Sequence, residues 1–425
     1  MTTIRPQART ASTRGDRTRP MSRRLARRAP VNRAALSRSA SAPGPRHVLL
    51  VFQPVVGGVP QYVANLAEEL SLRGWQLSVA APSNTPVHDR LKRVAKHIVP
   101  LDASHGASPI KDLRTCQELA WLCRRTRVDV IHAHSSKAGA LAAIVGRWAQ
   151  VKTVYSPHAW SFQRELPAPA QLAYVTAERI LARRHACVIA VADAEREAAA
   201  RRGVVAPGRI ALIHTGLKPA VMPSVQEARC ELHIDQDAFV VGWVGRIGAQ
   251  KRAEDLPVIA HELGDDATLA VLGYGLPEST AGQALKRLGS TVVGAGDPLS
   301  VYAASDALVV TSRWEGLPLV VLEAMRAGLP VVGYDIGGLR EQVVHGVTGY
   351  IVQSGDAVGL ADRLRELARS PEVTHRMGQA AARRFVARFG IEQMTTAIEH
   401  IYRQILSADG LAVDAAAAAS LAIVR

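Results

Sequence analysis

Several features that would quickly assign a function are missing from this chain. It has only four cysteines, Cys116, Cys123, Cys187 and Cys230, with no Cys-x-x-Cys pair and no metal-ligand spacing. That argues against a disulfide framework and against a zinc site. Cys116 and Cys123 fall seven apart on one helical pattern, a packing signature, and all four read as reduced cytosolic thiols. No run of about 20 apolar residues occurs, so no membrane-spanning helix is expected. A G-x-G-x-x-G fingerprint is absent, which leaves nicotinamide chemistry without support. Aromatic residues make up 4% of the chain, and none is interleaved with the N-terminal arginines. Those arginines therefore lack the stacking platform of a single-strand nucleic-acid binder.

Acid is also scarce in one place. Residues 1–46 carry Asp16 as their one acid against a run of arginines from Arg5 to Arg46, and they hold much of the net charge of +15. Such a stretch, rich in Arg, Ala, Ser, Thr and Pro, is expected to be disordered. It contains no apolar core of a signal peptide. It reads as a solvated leader, as an over-long start with Met21 the true initiator, or as an electrostatic anchor to anionic lipid. The Ala-rich end, Val413 to Val424, is interrupted by Asp414 and reads as a flexible tail over 409–425.

Between these ends, 425 residues suggest two domains rather than one. His47-Val48-Leu49-Leu50-Val51-Phe52 is a continuous apolar strand of the kind buried in parallel sheets. A loop with Gly57 and Gly58 follows, and Pro60 is expected to open a helix through Leu72. Strands at Leu77–Ala81, Val128–Ala133, Thr153–Ser156 and Cys187–Ala192 alternate with helices at Asp112–Arg125, Ser135–Trp148 and Leu166–Arg183. After a linker over 219–237, strands recur at Phe239–Val244, Thr268–Leu272, Thr291–Val293, Ala307–Thr311, Pro330–Gly333 and Tyr350–Val352. This alternation implies α/β architecture with parallel sheets and ligands beyond the carboxyl ends of the strands.

Two stretches carry chemistry. In Ser312-Arg313-Trp314-Glu315-Gly316-Leu317-Pro318, a strand runs into a loop, and a helix is expected from Pro318 to Arg326. The free N–H groups at Gly316, Leu317 and the first turn suit an anion. Glu323, further along that helix, suits the hydroxyls of a ribose. In Val244-Gly245-Arg246-Ile247-Gly248-Ala249-Gln250-Lys251-Arg252, a strand ends in glycine and a helix is expected to open at Ile247. Arg246 and Lys251 there offer a fork and a point charge to a phosphate. At two other strand ends lie His134, with Ser135 or Ser136 as a helix cap, and His158. A metal on His132, His134 and His158 lacks an acid or a cysteine to complete it, so none is expected.

Together, the Gly-Arg-four-residues-Lys stretch and the two-glutamate stretch resemble the retaining glycosyltransferases of family 4, over roughly residues 47–405. The resemblance implies the GT-B fold, α/β with two Rossmann-like doubly wound domains facing a central cleft. It implies an N-terminal acceptor-side domain at 47–218, a donor domain at 238–390, and a C-terminal helix at 391–408 packing back on the first domain. Gly57 and Gly58 then approach the donor diphosphate, with Gly245, Arg246, Lys251, Gly316, Leu317, Pro318 and Glu323 across the cleft and Gly294 near the base. His158 contacts the donor sugar near the reacting carbon, Glu315 positions that sugar, and His134 lies on the acceptor side. Thr215-Gly216 stands where many relatives carry Asn-Gly. The His134-Ser135-Ser136-Lys137-Ala138-Gly139 run is similar to bacterial exopolysaccharide and capsule transferases.

The implied reaction moves a sugar, with retention and without a metal or other cofactor, from a nucleotide sugar of UDP type to a glycan or a polyprenyl-diphosphate-linked acceptor. The expected place is the cytoplasm, with peripheral contact to an anionic membrane face through residues such as Arg90, Lys92, Arg93 and Lys96. Alternatives are a nucleotide-sugar 2-epimerase of the same fold and a non-enzymatic protein that binds through its basic tail.

Overall fold

A computed structural model describes residues 46–102 and 108–407. The expectations for the arginine-rich tail and for the Ala-rich end lie outside these residues.

The first half alternates β1 (His47–Phe52), α1 (Gly58–Leu72), β2 (Gln76–Ala81), α2 (His88–Val94), β3 (His97–Pro100), α3 (Pro109–Thr126), β4 (Val130–His134), α4 (Ser136–Ala149), β5 (Lys152–Ser156), α5 (Ala168–Ala182), β6 (Cys187–Ala190), α6 (Asp193–Arg201) and β7 (Ile210–Leu212). The second half runs α7 (Val225–Glu231), β8 (Val240–Val244), α8 (Leu256–Leu263), β9 (Thr268–Leu272), α9 (Thr280–Arg287), β10 (Thr291–Val293), α10 (Pro298–Ala304), β11 (Ala307–Val310), α11 (Leu319–Arg326), β12 (Val331–Tyr334), α12 (Leu339–Gln342), β13 (Gly349–Val352), α13 (Ala357–Ala368), α14 (Pro371–Arg388) and α15 (Ile391–Leu406).

Each half builds one parallel sheet, in the orders β3-β2-β1-β4-β5-β6-β7 and β10-β9-β8-β11-β12-β13. Strand order reverses between β1 and β4 in the first sheet and between β8 and β11 in the second. Those two reversals open crevices at the carboxyl ends of the strands. All six residues of β1 are buried, as expected of a central strand covered by helices on both faces. On one face of that sheet, α3 and α4 close over Leu49, Val51 and Ile131; on the other, α1 packs Tyr62, Val63, Leu66 and Leu70 inward.

Near its end the chain returns to the first half. The Leu217 N–H donates to the Phe389 carbonyl at 2.9 Å, and the Ile391 N–H donates back to Leu217 at 3.1 Å. Helix α15 then lies along α1. There the Trp75 indole N–H donates to Glu399 at 2.7 Å, Arg73 pairs with Glu399 at 3.0 Å, and the Tyr402 hydroxyl shares a 2.6 Å hydrogen bond with His132 Nδ1.

Local structure departs from the sequence reading at several points. No helix opens at Ile247: a 3-10 turn spans Ala253–Asp255 and α8 starts only at Leu256. Arg252, at φ 49° and ψ 49°, sits in the left-handed region, which a right-handed helix does not admit. Pro318 is the residue before α11 rather than its first, with ψ 121°, and α1 begins two residues before Pro60. The expected linker contains α7, started by a capping box between Ser224 and Glu227. Helix α2 and strand β3 are absent from the elements expected above. β3 is a sheet edge with neither end residue buried, so it shows no apolar run.

Candidate active site

The two crevices face each other, and the residues singled out in the sequence gather there. Gly57, at φ 102°, turns the chain after β1, and Gly58 begins α1. A Cβ placed on Gly58 would meet Leu319 Cδ1 at 3.3 Å. Leu319 is the first residue of α11. Two helix N-termini, one from each half, therefore meet across the cleft, each with unpaired N–H groups and the positive end of a dipole.

Beside α11, the loops after β8 and β11 are stitched together. The Lys251 ammonium lies 2.7 Å from Glu315, and the Ser312 hydroxyl donates to the same carboxylate at 2.9 Å. The Gln250 amide donates to the Trp314 carbonyl at 3.0 Å, and the Arg313 N–H donates to the Gln250 carbonyl at 2.8 Å. The Thr311 hydroxyl, 2.7 Å from the Lys251 carbonyl, accepts from the Trp243 indole. Arg246 differs from Lys251 in being exposed, with one hydrogen bond to the Gln250 side chain at 2.9 Å. Its guanidinium stays available to an anion. Lys251 is instead committed to Glu315, a partnership that residue spacing did not show.

Glu323 accepts a 2.7 Å hydrogen bond from Tyr302, and burial raises its carboxyl above the usual range. The Tyr302 partnership was not visible in the sequence either. Gly245 and Gly273 lie close together at neighbouring strand ends: a Cβ on Gly273 would meet the Gly245 carbonyl at 2.5 Å. The Gly273 N–H donates to Val293, next to Gly294. Gly294 packs on Pro277 at that edge of the second sheet.

In the first half, His158 is at φ 54° and Ala159 at φ 88°, a pair of left-handed residues in one loop. Gly316 of the second half lies directly against them; a Cβ there would be 3.2 Å from the Ala159 nitrogen. The structure thus brings His158, Gly316, Leu317 and Pro318 into one corner. His134, expected on the acceptor side, is wholly buried behind His158, with Nδ1 3.0 Å from His158 Nε2. Its ring also packs against Tyr62 and His132, so it presents no surface to the cleft. Burial lowers both imidazoles, His134 well below its ordinary range and His158 to about 3, so both are neutral. Ser135 reaches the cap position of α4 at φ 98° but makes no capping bond, and Ser136 donates to Glu178 at 2.6 Å instead.

Two further acids hold this corner. Glu341 accepts from the N–H groups of Asp193 and Ala194 at 2.8 and 3.0 Å and from His214 at 2.8 Å, so the second half caps α6 of the first. Glu195 is fully buried beside the His158 loop. A cavity of about 530 Å³ between the halves reaches Glu315 and is lined by Gln163, Gln171, Arg201, Arg202 and Arg313. Among the described residues there is no cluster of three His, Cys, Asp or Glu placed to hold a metal ion.

With this geometry in place, comparison with known proteins decides the family. The model of glycosyl transferases group 1 matches residues 224–384, and that of the glycosyl transferase 4-like domain matches residues 57–216. The chain is a glycosyltransferase of the family 4 type. Among curated relatives, it is 25% identical over 374 residues to the UDP-Gal:alpha-D-GlcNAc-diphosphoundecaprenol alpha-1,3-galactosyltransferase of Escherichia coli, covering 84% of this chain and 95% of that one. It is 28% identical over 413 residues to a D-inositol 3-phosphate glycosyltransferase of Frankia alni, covering 84% and 97%. In fold it is similar to the Anabaena protein HepE in complex with UDP and glucose, with a TM-score of 0.73 at 21% identity over 84% of this chain and 99% of that one. The architecture of this glycosyltransferase is accordingly GT-B, two parallel sheets with interleaved helices.

Proposed function

We propose that the protein transfers a sugar, with retention of anomeric configuration, from a UDP-sugar to a lipid-linked or glycan acceptor in cell-surface polysaccharide synthesis. The observation that carries this reading is the meeting of α1 and α11 at Gly58 and Leu319. Two opposed helix N-termini with Arg246 beside them form a cradle for a diphosphate. They stabilise the charge that develops on it as the sugar–phosphate bond breaks. This cradle supplies the positive charge without a metal. Glu323, held by Tyr302, takes the ribose, and the glycines at the ends of β8, β9 and β10 leave room for a flat base.

Glu315 supports front-face transfer over a covalent intermediate. Retaining glycosidases use a carboxylate as nucleophile. Here that carboxylate already accepts from Lys251 and Ser312, which lowers its electron density and fixes its direction. It suits a hydroxyl of the sugar. The departing phosphate then takes the acceptor's proton.

The acceptor reading rests on the cavity beside Glu315, lined by Arg201, Arg202 and Arg313. Arg201 pairs with Glu197 and Arg313 with Glu165 and Glu254, and an anionic acceptor would compete with those exposed carboxylates. A diphosphate-linked acceptor matches the arginines, and the E. coli relative is named for such a substrate. Arg90 does not serve the expected membrane contact, because Glu68, Gln61 and Asn65 occupy its guanidinium. Helices α3 and α4 fit that contact better. They expose Ile110, Leu113, Trp121, Ile144 and Trp148 among Arg114, Arg124, Arg125 and Arg147.

The test is UDP release from a panel of UDP-sugars with undecaprenyl-diphosphate-linked acceptors, with and without EDTA, and the product anomer read by NMR. Transfer with retention, insensitive to EDTA, is expected. An inverted product, or turnover abolished by EDTA and restored by a divalent cation, would overturn the mechanism.

A further inference from the structure

We infer that Glu195 is a positioning residue for the transfer reaction: it fixes the loop that carries His158 and seats that loop against Gly316 of the other half. The inference rests on the reading of the cleft as a sugar-transfer site and assigns a role to a buried acid that reading leaves unused.

Glu195 lies in the first turn of α6 and has no exposed surface. One carboxylate oxygen accepts the Ala159 N–H and the other accepts the Val191 N–H at 2.9 Å. Its own carbonyl accepts the Trp160 indole N–H, also at 2.9 Å. The loop is therefore held at two successive residues by one side chain and its peptide. That grip falls where holding is needed, since His158 and Ala159 both occupy the left-handed region without being glycine. Such conformations persist only when the surroundings over-determine them. Gly316 completes the arrangement, because a Cβ there would lie 2.5 Å from the Glu195 oxygen. The carboxylate and the Ala159 N–H thus pack on the backbone that leads into α11.

The chemistry requires the ionised acid. A carboxylate accepts from both N–H groups, whereas a protonated carboxyl turns a donor toward one of them. The groups that bear on Glu195 are Glu341 from α12, Glu178 from α5, Tyr62 from α1 and Tyr155 from β5, with His158 neutral in the loop. None is a cation. Burial, opposed by the two N–H groups, pushes the carboxyl up to about 7. The loop is therefore fully clamped above neutral pH and loosens below it.

The experiment uses the full chain and follows UDP release from a UDP-sugar panel, with UDP binding read separately by thermal shift. Glu195→Gln keeps the shape but sets an N–H₂ against an N–H. It is expected to lower kcat by about 100-fold, the scale of a misplacement near 1 Å, while the donor KM and the UDP-induced shift stay close to wild type. Wild type should show an acid limb in kcat with a midpoint near 7, absent from Glu195→Gln and retained in Glu195→Asp. If Glu195→Gln fails to fold, the His158 imidazole resonances of the wild type report the same event, moving with a midpoint near 7 although His158 itself stays neutral. Full kcat in Glu195→Gln, the same acid limb in both proteins, or static His158 resonances would overturn the inference and leave the sugar-transfer reading standing. A wild type that binds UDP but turns over no sugar in the panel would overturn both.

Discussion

The Lys251 ammonium stands 2.7 Å from the Glu315 carboxylate and so locks the loop after β8 to the loop after β11 across the switch point of the second sheet. Both side chains are largely shielded from solvent. A pair so placed acts as one unit, and on the proposed reading Lys251, with Ser312, holds Glu315 toward the sugar. Lys251→Ala and Glu315→Gln are each expected to lower kcat by about 10²-fold, as for other preorganised polar groups. The double variant should lose far less than the product of the two, because contacting residues are not additive. Losses that simply multiply would show that the two side chains work independently.

Tyr302 gives a narrower test of the donor site. Its hydroxyl donates to Glu323 at 2.7 Å, and burial already raises that carboxyl. Tyr302→Phe removes the hydrogen bond that favours the ionised form and so raises it further. UDP should then bind about 3- to 10-fold more weakly, the scale of one lost hydrogen bond, and the weakening should grow as pH falls. The midpoint of UDP binding measured by calorimetry at several pH values decides this. Unchanged affinity in Tyr302→Phe would separate Glu323 from the nucleotide.

These predictions also mark where the sequence stopped being legible. Buried central strands such as His47–Phe52 and Ala307–Val310 announce themselves by continuous apolar runs, and the glycine and proline signals near Gly57 and Pro318 placed the helix starts to within a residue or two. Glu315, Arg246 and Lys251 stand out in the sequence because they follow strands of a parallel sheet, where ligands gather. What spacing could not show was pairing over distance. Lys251 and Glu315 are 64 positions apart, and Ala159 and Glu195 are 36 apart. Glu195 sits in an Ala- and Arg-rich helix that reads as solvated. Its burial comes from the loop and Gly316 packing over it, which no local pattern encodes. In place of the helix expected at Ile247, residues 247–251 form a bend and turn, followed by Arg252 in a left-handed conformation that its own identity does not demand.

The α3–α4 surface makes a prediction about location. Trp121 and Trp148 are exposed, the Arg125 guanidinium lies over the Trp121 ring, and Arg124 donates to the Trp148 carbonyl. Each arginine near an anionic bilayer contributes about 1 kcal/mol, and the exposed rings suit the headgroup level. In the full chain, Trp121→Ser with Trp148→Ser should reduce sedimentation with phosphatidylglycerol vesicles while leaving UDP binding intact. The wild type should ignore phosphatidylcholine vesicles. Equal sedimentation of both proteins would assign any membrane contact to the arginine-rich residues 1–46 instead.

Buried histidines set the acid limit of the fold. His132 and His134 are held well below their ordinary range, and His158 and His185 are lowered to about 3, in each case chiefly by burial. All four are neutral in the native protein, whereas in the unfolded chain they take up protons below about 6.5. The sign follows from linkage. Where the unfolded state binds more protons, stability is lost as pH falls. Their contribution is whole above about 6.5 and drains as pH drops toward the native values, by up to about 1.4 kcal/mol per unit for each histidine. Glu195, raised to about 7, works the other way, because the native state takes up its proton first. Urea midpoints should therefore change little near neutrality and drop below pH 6, where four histidines outweigh one carboxyl. Tyr402→Phe leaves His132 Nδ1 without its 2.6 Å partner on α15. That orphaned group costs about 1–3 kcal/mol even at neutral pH, where none of the four is charged. A urea midpoint in Tyr402→Phe equal to wild type at neutral pH would show that this contact does not hold α15 to the first sheet. A flat acid limb in the wild type would show that the histidines find protons without unfolding.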